Sequence, residues 1–247
     1  MRSLKRRGHS ARATLSSAPI AVSSSNTFVR VLTGQLHRSL SCPTNSTTNA
    51  IPDQGPFDFD SGPLLTEFEP AFDAACFARF GRDIFWQPDL VSNDFGAEWL
   101  RRHLGPEFCI HRIEFRERTP THIDTTLVPI RPGLVLTNPE RPCTNGLPQL
   151  FAVNDWQVVA APPSVRTGRS PAHDVSNWIS MNILMLDERT AVVEAAETPM
   201  IELLRSLGCE VIPCAFDRVY PFGGGLHCCT ADIRRIGTLQ SYFPSLG

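Results

Sequence analysis

From residue 64 onward, apolar and polar positions fall into blocks that recur along the chain. Asn93 precedes a helical pattern carrying Trp99, Leu100 and Leu104, and Gly105 ends it, a capping residue before and a glycine stop after. Strand-like runs follow at 108–115 and 122–130, with a short strand at 133–137. Residues 147–153 read as helix, Asn154 and Asp155 as a turn, and 156–161 and 179–186 as strands, with a further short strand at 191–194. Thr198 and Pro199 open a third helix carrying Ile201, Leu204 and Leu207, which Gly208 stops. Strands at 210–216 and 226–233 complete the pattern.

The helix stops lie at 105, about 155 and 208, so one unit of helix, stop and strands recurs roughly every 50 residues. A helix in every unit excludes an all-β blade. Units of this kind bury their faces on one another, and a ring is their natural closure. The repeat also sets His122 at 17 residues after its stop and His227-Cys228 at 19 and 20 residues after theirs. Reactive side chains at equivalent points of a repeat are placed to face one common centre.

Charge divides the chain. Of 23 Lys and Arg residues, seven lie in residues 1–52, which contain none of the 25 acids; the remainder carries 16 basic against 25 acidic residues, a net of −9. The basic, Ser- and Thr-rich segment 1–52 has the composition of an organellar transit peptide, with mitochondria the expected destination and a non-targeting tail, in a cytoplasmic protein, the plainer alternative. Residues 53–61 read as a linker, and 62–247 as one catalytic domain. The acidic body argues against nucleic acid as a partner, and no apolar run approaches 18 residues, so no membrane-spanning helix is expected. Eight scattered cysteines (42, 76, 109, 143, 209, 214, 228 and 229) suit free thiols in a reducing compartment better than a disulfide framework.

The sharpest local feature is Gly223-Gly224-Gly225-Leu226-His227-Cys228-Cys229. Three glycines admit backbone conformations other residues avoid and let a ligand approach closely. A cysteine beyond them is placed as an accessible nucleophile if its pKa is lowered, and as an inert thiol in a buried strand otherwise. The spacing lacks a phosphate-binding pattern. Zinc is disfavoured, since no CxxC pair exists and adjacent Cys228 and Cys229 on a strand would point to opposite faces. His122 and Asp124, two apart in Thr121-His122-Ile123-Asp124, would share a strand face, and a carboxylate in an apolar strand calls for a partner such as a cationic ligand. Asp73, in Phe72-Asp73-Ala74-Ala75, is a helix cap or a second site carboxylate.

Taken together, these motifs resemble the glycine amidinotransferase family. The resemblance rests on Glu67-Phe68-Glu69-Pro70-Ala71-Phe72-Asp73-Ala74-Ala75, Gly81-Arg82-Asp83-Ile84-Phe85, Thr121-His122-Ile123-Asp124, Ser176-Asn177-Trp178-Ile179-Ser180-Met181-Asn182, the run 223–228, and Asp232-Ile233-Arg234-Arg235-Ile236-Gly237-Thr238-Leu239-Gln240-Ser241-Tyr242. It runs from about residue 62 to 247, in family order, and corresponds to the family's C-terminal half. It implies an α/β fold, a pentein-like propeller of ββαβ repeats, incomplete here with about three of five units. It also implies transfer of the amidino group of arginine to an amine, as in creatine biosynthesis where glycine is the acceptor. The family's roles fall on Cys228 as nucleophile, His122 as general acid/base, Asp73 as its carboxylate partner, Asp124 as a guanidinium ligand, and Arg141 and Ser176 as holders of the substrate's carboxylate and amino end. No metal or cofactor is implied. A guanidine hydrolase, or a non-catalytic binding subunit, is the alternative reading. Two departures stand out: the family's N-terminal units, with a further guanidinium-binding Asp, have no counterpart in the sequence, and Cys229 and Val175 occupy positions where the family has Trp and Ser. The first implies self-association or a complementary chain.

Overall fold

The computed structural model describes residues 65, 67–89, 91–115, 122–165, 176–232 and 239–243. The transit-like segment 1–52 and the linker 53–61 lie outside them.

The described residues form three ββαβ units and no closed barrel. The first comprises β1 (Phe77–Phe80), β2 (Asp83–Trp86), α1 (Asp94–Leu104) and β3 (Cys109–Arg112). The second comprises β4 (Leu127–Arg131), β5 (Leu134–Thr137), α2 (Leu147–Val153) and β6 (Gln157–Ala160). The third comprises β7 (Leu184–Met185), β8 (Thr190–Glu194), α3 (Thr198–Ser206) and β9 (Glu210–Cys214). In each, two strands pair as an antiparallel hairpin, the chain crosses through the helix, and the third strand adds parallel to the second. The parallel pairing follows from the crossover, since a helix is long enough to carry the chain back to its starting end.

The helix boundaries have local causes. Asn93 accepts a hydrogen bond from the Gly96 amide at 2.8 Å, and Gly105 closes α1 at φ 78°. Pro199 sits in the first turn of α3, where its missing N–H costs nothing. After α2 the turn is made by Asp155 at φ 58°, one of the few side chains that tolerates this region.

Apolar clusters join neighbouring units. Val128, Ile130, Leu134 and Leu136 of the second pack with Met185, Val193, Met200 and Leu204 of the third. Phe80 and Phe85 of the first pack with Val135, Phe151 and Trp156 of the second. Phe243 joins that aromatic cluster because residues 239–243 return to the first hairpin, where Gly81 pairs with Ser241. Gly81 has φ 67°, and a Cβ there would stand 2.1 Å from the Gln240 carbonyl oxygen, so only glycine fits this crossing. Buried Asp83 fastens it by accepting from the Ser241 hydroxyl (2.7 Å) and the Tyr242 amide (3.0 Å), with His111 Nε2 at 2.9 Å on its other oxygen.

Three expected strands open as turns instead. Residues 122–130 begin with a 3-10 turn, Ile123–Thr125, closed by the Thr126 amide on the Ile123 carbonyl at 2.8 Å, and the strand starts only at Leu127. Residues 226–229 curl into a turn in which the Cys229 amide bonds the Gly225 carbonyl at 3.2 Å. The cause is Asn182: its side-chain oxygen accepts from the amides of both Gly225 and Cys228, three residues apart, which an extended strand cannot aim at one atom. The 179–186 segment likewise starts as a 3-10 turn, Ile179–Met181, before β7. The first hairpin, β1 and β2, is an element the sequence pattern did not separate.

Candidate active site

A 3-10 turn precedes the hairpin of every unit: Ala74–Cys76 before β1, Ile123–Thr125 before β4 and Ile179–Met181 before β7. The turn at 226–229 follows β9 at the next such point along the repeat. These entry segments converge, and they carry Asp73, His122, Asp124 and Cys228, the candidate catalytic side chains.

The turn Ile123–Thr125 is the spine of the site. Its N-cap, His122, places Nε2 3.5 Å from Oδ2 of Asp73, itself the N-cap of the first turn. Asp73 is held from both sides, its Oδ1 accepting from the Ala75 amide at 2.9 Å and its own amide donating to Ser92 Oγ at 2.9 Å. The hydrogen bond with Asp73 leads the influences that raise the His122 pKa above its ordinary value; burial opposes it, and the charges of Asp124, Asp73 and Asp89 reinforce it. The same hydrogen bond lowers Asp73. Behind the pair lies Asp89, raised by burial, whose Oδ2 accepts from the buried Cys76 thiol at 2.7 Å.

Asp124, in the middle of the spine, is buried, and three groups meet at its Oδ2. Asn182 Nδ2 donates at 2.7 Å, His227 Nδ1 lies at 3.2 Å and the Cys228 thiol donates at 3.2 Å. Burial alone would raise this carboxyl, yet His227, by hydrogen bond and charge, and Cys228 hold it below its ordinary value. An apolar pocket lined by Ala75, Phe77, Ile123, Met181 and Ile183 backs the cluster, and His227 Nε2 is buried with no hydrogen-bond partner among the described residues.

Cys228 is solvent-accessible as a residue, but its sulfur borders the packed interior. Desolvation first, then the charge and hydrogen bonding of Asp124, push its thiol up to about 12, while the Asn182 amide, 3.0 Å from Sγ, works in the opposite direction. Gly224 gives the sulfur room, since a Cβ there would lie 2.9 Å from Cys228 Cβ and 3.4 Å from Sγ.

Arg141 is buried, and its Nη1 donates to Thr126 Oγ1 at 2.5 Å and to Gln87 Oε1 at 3.1 Å, with its guanidinium 4.9 Å above the Phe115 ring. Thr126 is the C-cap of the spine, so one 3-10 turn carries His122, Asp124 and the anchor of Arg141. Ser176 accepts from the Trp178 amide at 3.1 Å at the entrance to the third turn.

Thus the structure brings Asp73 to His122 and Asp124 to Cys228. His122 and Asp124 do not share a strand face; they sit on one turn. Cys228 and Cys229 are not on a strand, so the opposite-face argument against zinc does not hold; among the described residues no group of three or more His, Cys, Asp or Glu side chains is arranged to hold a metal ion. Sequence reasoning missed Asn182 and Asp89. Asn182 had a readable signal, a carboxamide alone in the apolar run Ile179-Ser180-Met181-Asn182-Ile183-Leu184-Met185.

No family model matches the chain. Individual relatives do. The L-arginine:L-lysine amidinotransferase of Pseudomonas savastanoi pv. phaseolicola is 49% identical over 179 residues, covering 72% of this chain and 48% of the relative. The mitochondrial glycine amidinotransferase of Gallus gallus is 49% identical over 180 residues, covering 73% and 42%. Among solved structures, SxtG, an amidinotransferase from Microseira wollei in the saxitoxin biosynthetic pathway, superposes with a TM-score of 0.69 at 46% identity, covering 76% of this chain and 53% of that one. The inosamine-phosphate amidinotransferase StrB1 from Streptomyces griseus gives 0.68 at 37% identity, covering 77% and 53%. The chain spans about half the length of the relatives it matches. Over that span, in both sequence and fold, it belongs to the amidinotransferase family.

Proposed function

We propose that this chain transfers the amidino group of L-arginine to an amine through a covalent intermediate on Cys228. The observation that carries the reading is the contact of the Cys228 sulfur with a buried carboxylate, Asp124, beside the Asp73–His122 pair. A carboxylate 3.2 Å from a thiol opposes ionisation of that thiol, which is unfavourable for a nucleophile acting alone. A guanidinium seated on Asp124 reverses the situation. It cancels the negative charge, lets the thiol proton leave to solvent, and lays its central carbon against the sulfur.

The chemistry then runs in two halves. The Cys228 thiolate adds to the guanidinium carbon. As the carbon–nitrogen bond to the amino-acid part breaks, His122 protonates the leaving nitrogen, so ornithine departs and the amidino group stays on sulfur. Neutral His122 next takes a proton from the incoming amine, whose nitrogen displaces the thiolate. The raised His122 pKa suits the first half, which needs the imidazolium, and Asp73 stabilises that charged form. Arg141 and Ser176 are the proposed holders of the substrate's carboxylate and amino end. Nothing in this sequence of steps calls for a metal or organic cofactor.

Glycine is the first acceptor to test, since a relative is named for it, and lysine the second for the same reason. Mitochondrial targeting by residues 1–52 belongs to the same proposal, supported by the segment's basic, acid-free composition and by relatives named as mitochondrial. A reporter carrying residues 1–52 is expected in mitochondria, and a diffuse cytosolic signal would remove the assignment. The function is tested by product analysis: arginine with an amine should give ornithine and an amidinated acceptor. Citrulline in place of ornithine would make the chain a hydrolase.

A further inference from the structure

We infer that Asn182 is the positioning residue for the nucleophile, holding the Cys228 backbone with one end of its carboxamide and the Cys228 sulfur and Asp124 with the other. The inference rests on the reading of Cys228 as nucleophile.

Asn182 is 4% exposed, so its polar atoms must find partners within the protein. Its Oδ1 accepts from the Gly225 and Cys228 amides, each at 3.1 Å, and its backbone oxygen accepts from the His227 amide at 3.3 Å. Its Nδ2 faces Asp124 Oδ2 at 2.7 Å and Cys228 Sγ at 3.0 Å. A carboxamide nitrogen has two hydrogens, one for each acceptor, and its oxygen has two lone pairs, one for each amide. Turning the amide over would aim N–H at N–H and carbonyl at carboxylate, so the network itself fixes the orientation.

No other side chain of this size supplies that combination. Leucine offers neither donor nor acceptor. Aspartate keeps the acceptor but sets a second carboxylate against Asp124 and the sulfur. Glutamine is one methylene too long for a packed site. The glycine run is shaped to the same residue: a Cβ on Gly225 would meet Asn182 Oδ1 at 2.9 Å, Cβ at 3.0 Å and Cγ at 3.2 Å. Gly225 is therefore the close approach that lets the turn reach the carboxamide, and this turn is what replaces the expected strand. Functionally, Asn182 fixes where the sulfur stands relative to Asp124 and gives the thiolate a hydrogen-bond donor that persists when a cation occupies the carboxylate.

The test uses the full chain and needs no arginine. Cys228 and Cys229 are alkylated with iodoacetamide at pH 9, and the rate at each site is followed separately by peptide mass spectrometry. In Asn182→Asp, which preserves the acceptor for the turn, the Cys228 rate should fall about tenfold, while that of Cys229 in the same molecule is unchanged. In Asn182→Ala, the Cys228 rate should also change relative to Cys229, and the Gly225 and Cys228 amides should lose hydrogen-exchange protection. If neither variant folds, Gly225→Ala, which pushes the carboxamide away, is expected to change the Cys228 rate. An unchanged Cys228 rate in every variant that folds overturns the inference. A Cys228 that forms no arginine adduct in the unaltered chain would instead overturn the nucleophile reading, leaving the alkylation rates to speak for Asn182 alone.

Discussion

Replacing Asp124 by Asn should make Cys228 more reactive toward a neutral alkylating agent and less reactive toward arginine. The substitution is isosteric and removes one negative charge 3.2 Å from Sγ. Two unit charges at that separation repel by about 5 kcal/mol at a protein-like effective dielectric of about 20 and by about 1 kcal/mol in a water-like one. The Cys228 sulfur borders the packed interior and faces buried Asp124, so the loss lies between these limits, at least about one pH unit of thiol ionisation. The Asn182 contact survives, because an Asn side-chain oxygen accepts as a carboxylate oxygen does. Iodoacetamide labelling of Cys228 at pH 8 should therefore rise at least about tenfold in Asp124→Asn. Arginine affinity should fall about 30- to 1,000-fold, the cost of losing a charge-assisted contact in a buried site. Labelling and arginine titration on the same preparation give opposite signs only if Asp124 acts through its charge. A fall in both would make Asp124 a structural residue and refute the electrostatic reasoning.

Other consequences follow from the site and the core. Asp73→Asn removes the largest influence raising His122, so the imidazole should titrate at lower pH by NMR and the alkaline limb of ornithine release should shift downward; an unmoved titration would detach Asp73 from His122. The sign for stability is set by both partners. A raised His122 contributes fully below its ordinary 6.5 and loses the contribution as pH rises through its raised value, whereas a lowered Asp73 contributes above 3.8 and loses it as pH falls through its lowered value. The effect is small, since the side chains are 37% and 49% exposed. Phe243→Ala should destabilise the chain by about 3–5 kcal/mol, because Phe243 is buried among Phe80, Phe85, Phe151 and Trp156; a change below about 1 kcal/mol in chemical denaturation would show that residues 239–243 do not close the core.

The repeat was legible because its punctuation is local. Asn93 acts through a side chain that caps the adjacent turn, and Gly105, Pro199 and Gly208 act through their own backbone, so the helices lie where these residues put them. The hairpin of β1 and β2 was not, because its strands are buried on nearly every position and show no alternation to read. The active-site turns failed as strands for another reason. What bends 226–229 is a side chain more than 40 residues away in sequence, and no local pattern records that Asn182 gathers two amides onto one oxygen. The pairing of Asp73 with His122 is similarly a product of successive units meeting at their entry turns. The repeat hinted at it through the equivalent spacing of His122 and Cys228, but it could not supply the partner of each.

The measurement that bears most directly on the account is mapping of the covalent intermediate. The chain is incubated with arginine, quenched with acid, digested and examined by mass spectrometry, with released amino acids analysed in parallel. The account predicts a single amidino group on the Cys228 peptide, stoichiometric release of ornithine, loss of the adduct when an acceptor amine is added, and no adduct in Cys228→Ser while Cys229→Ser retains it. An amidino group on Cys229, or ornithine released as readily from Cys228→Ser, would contradict it.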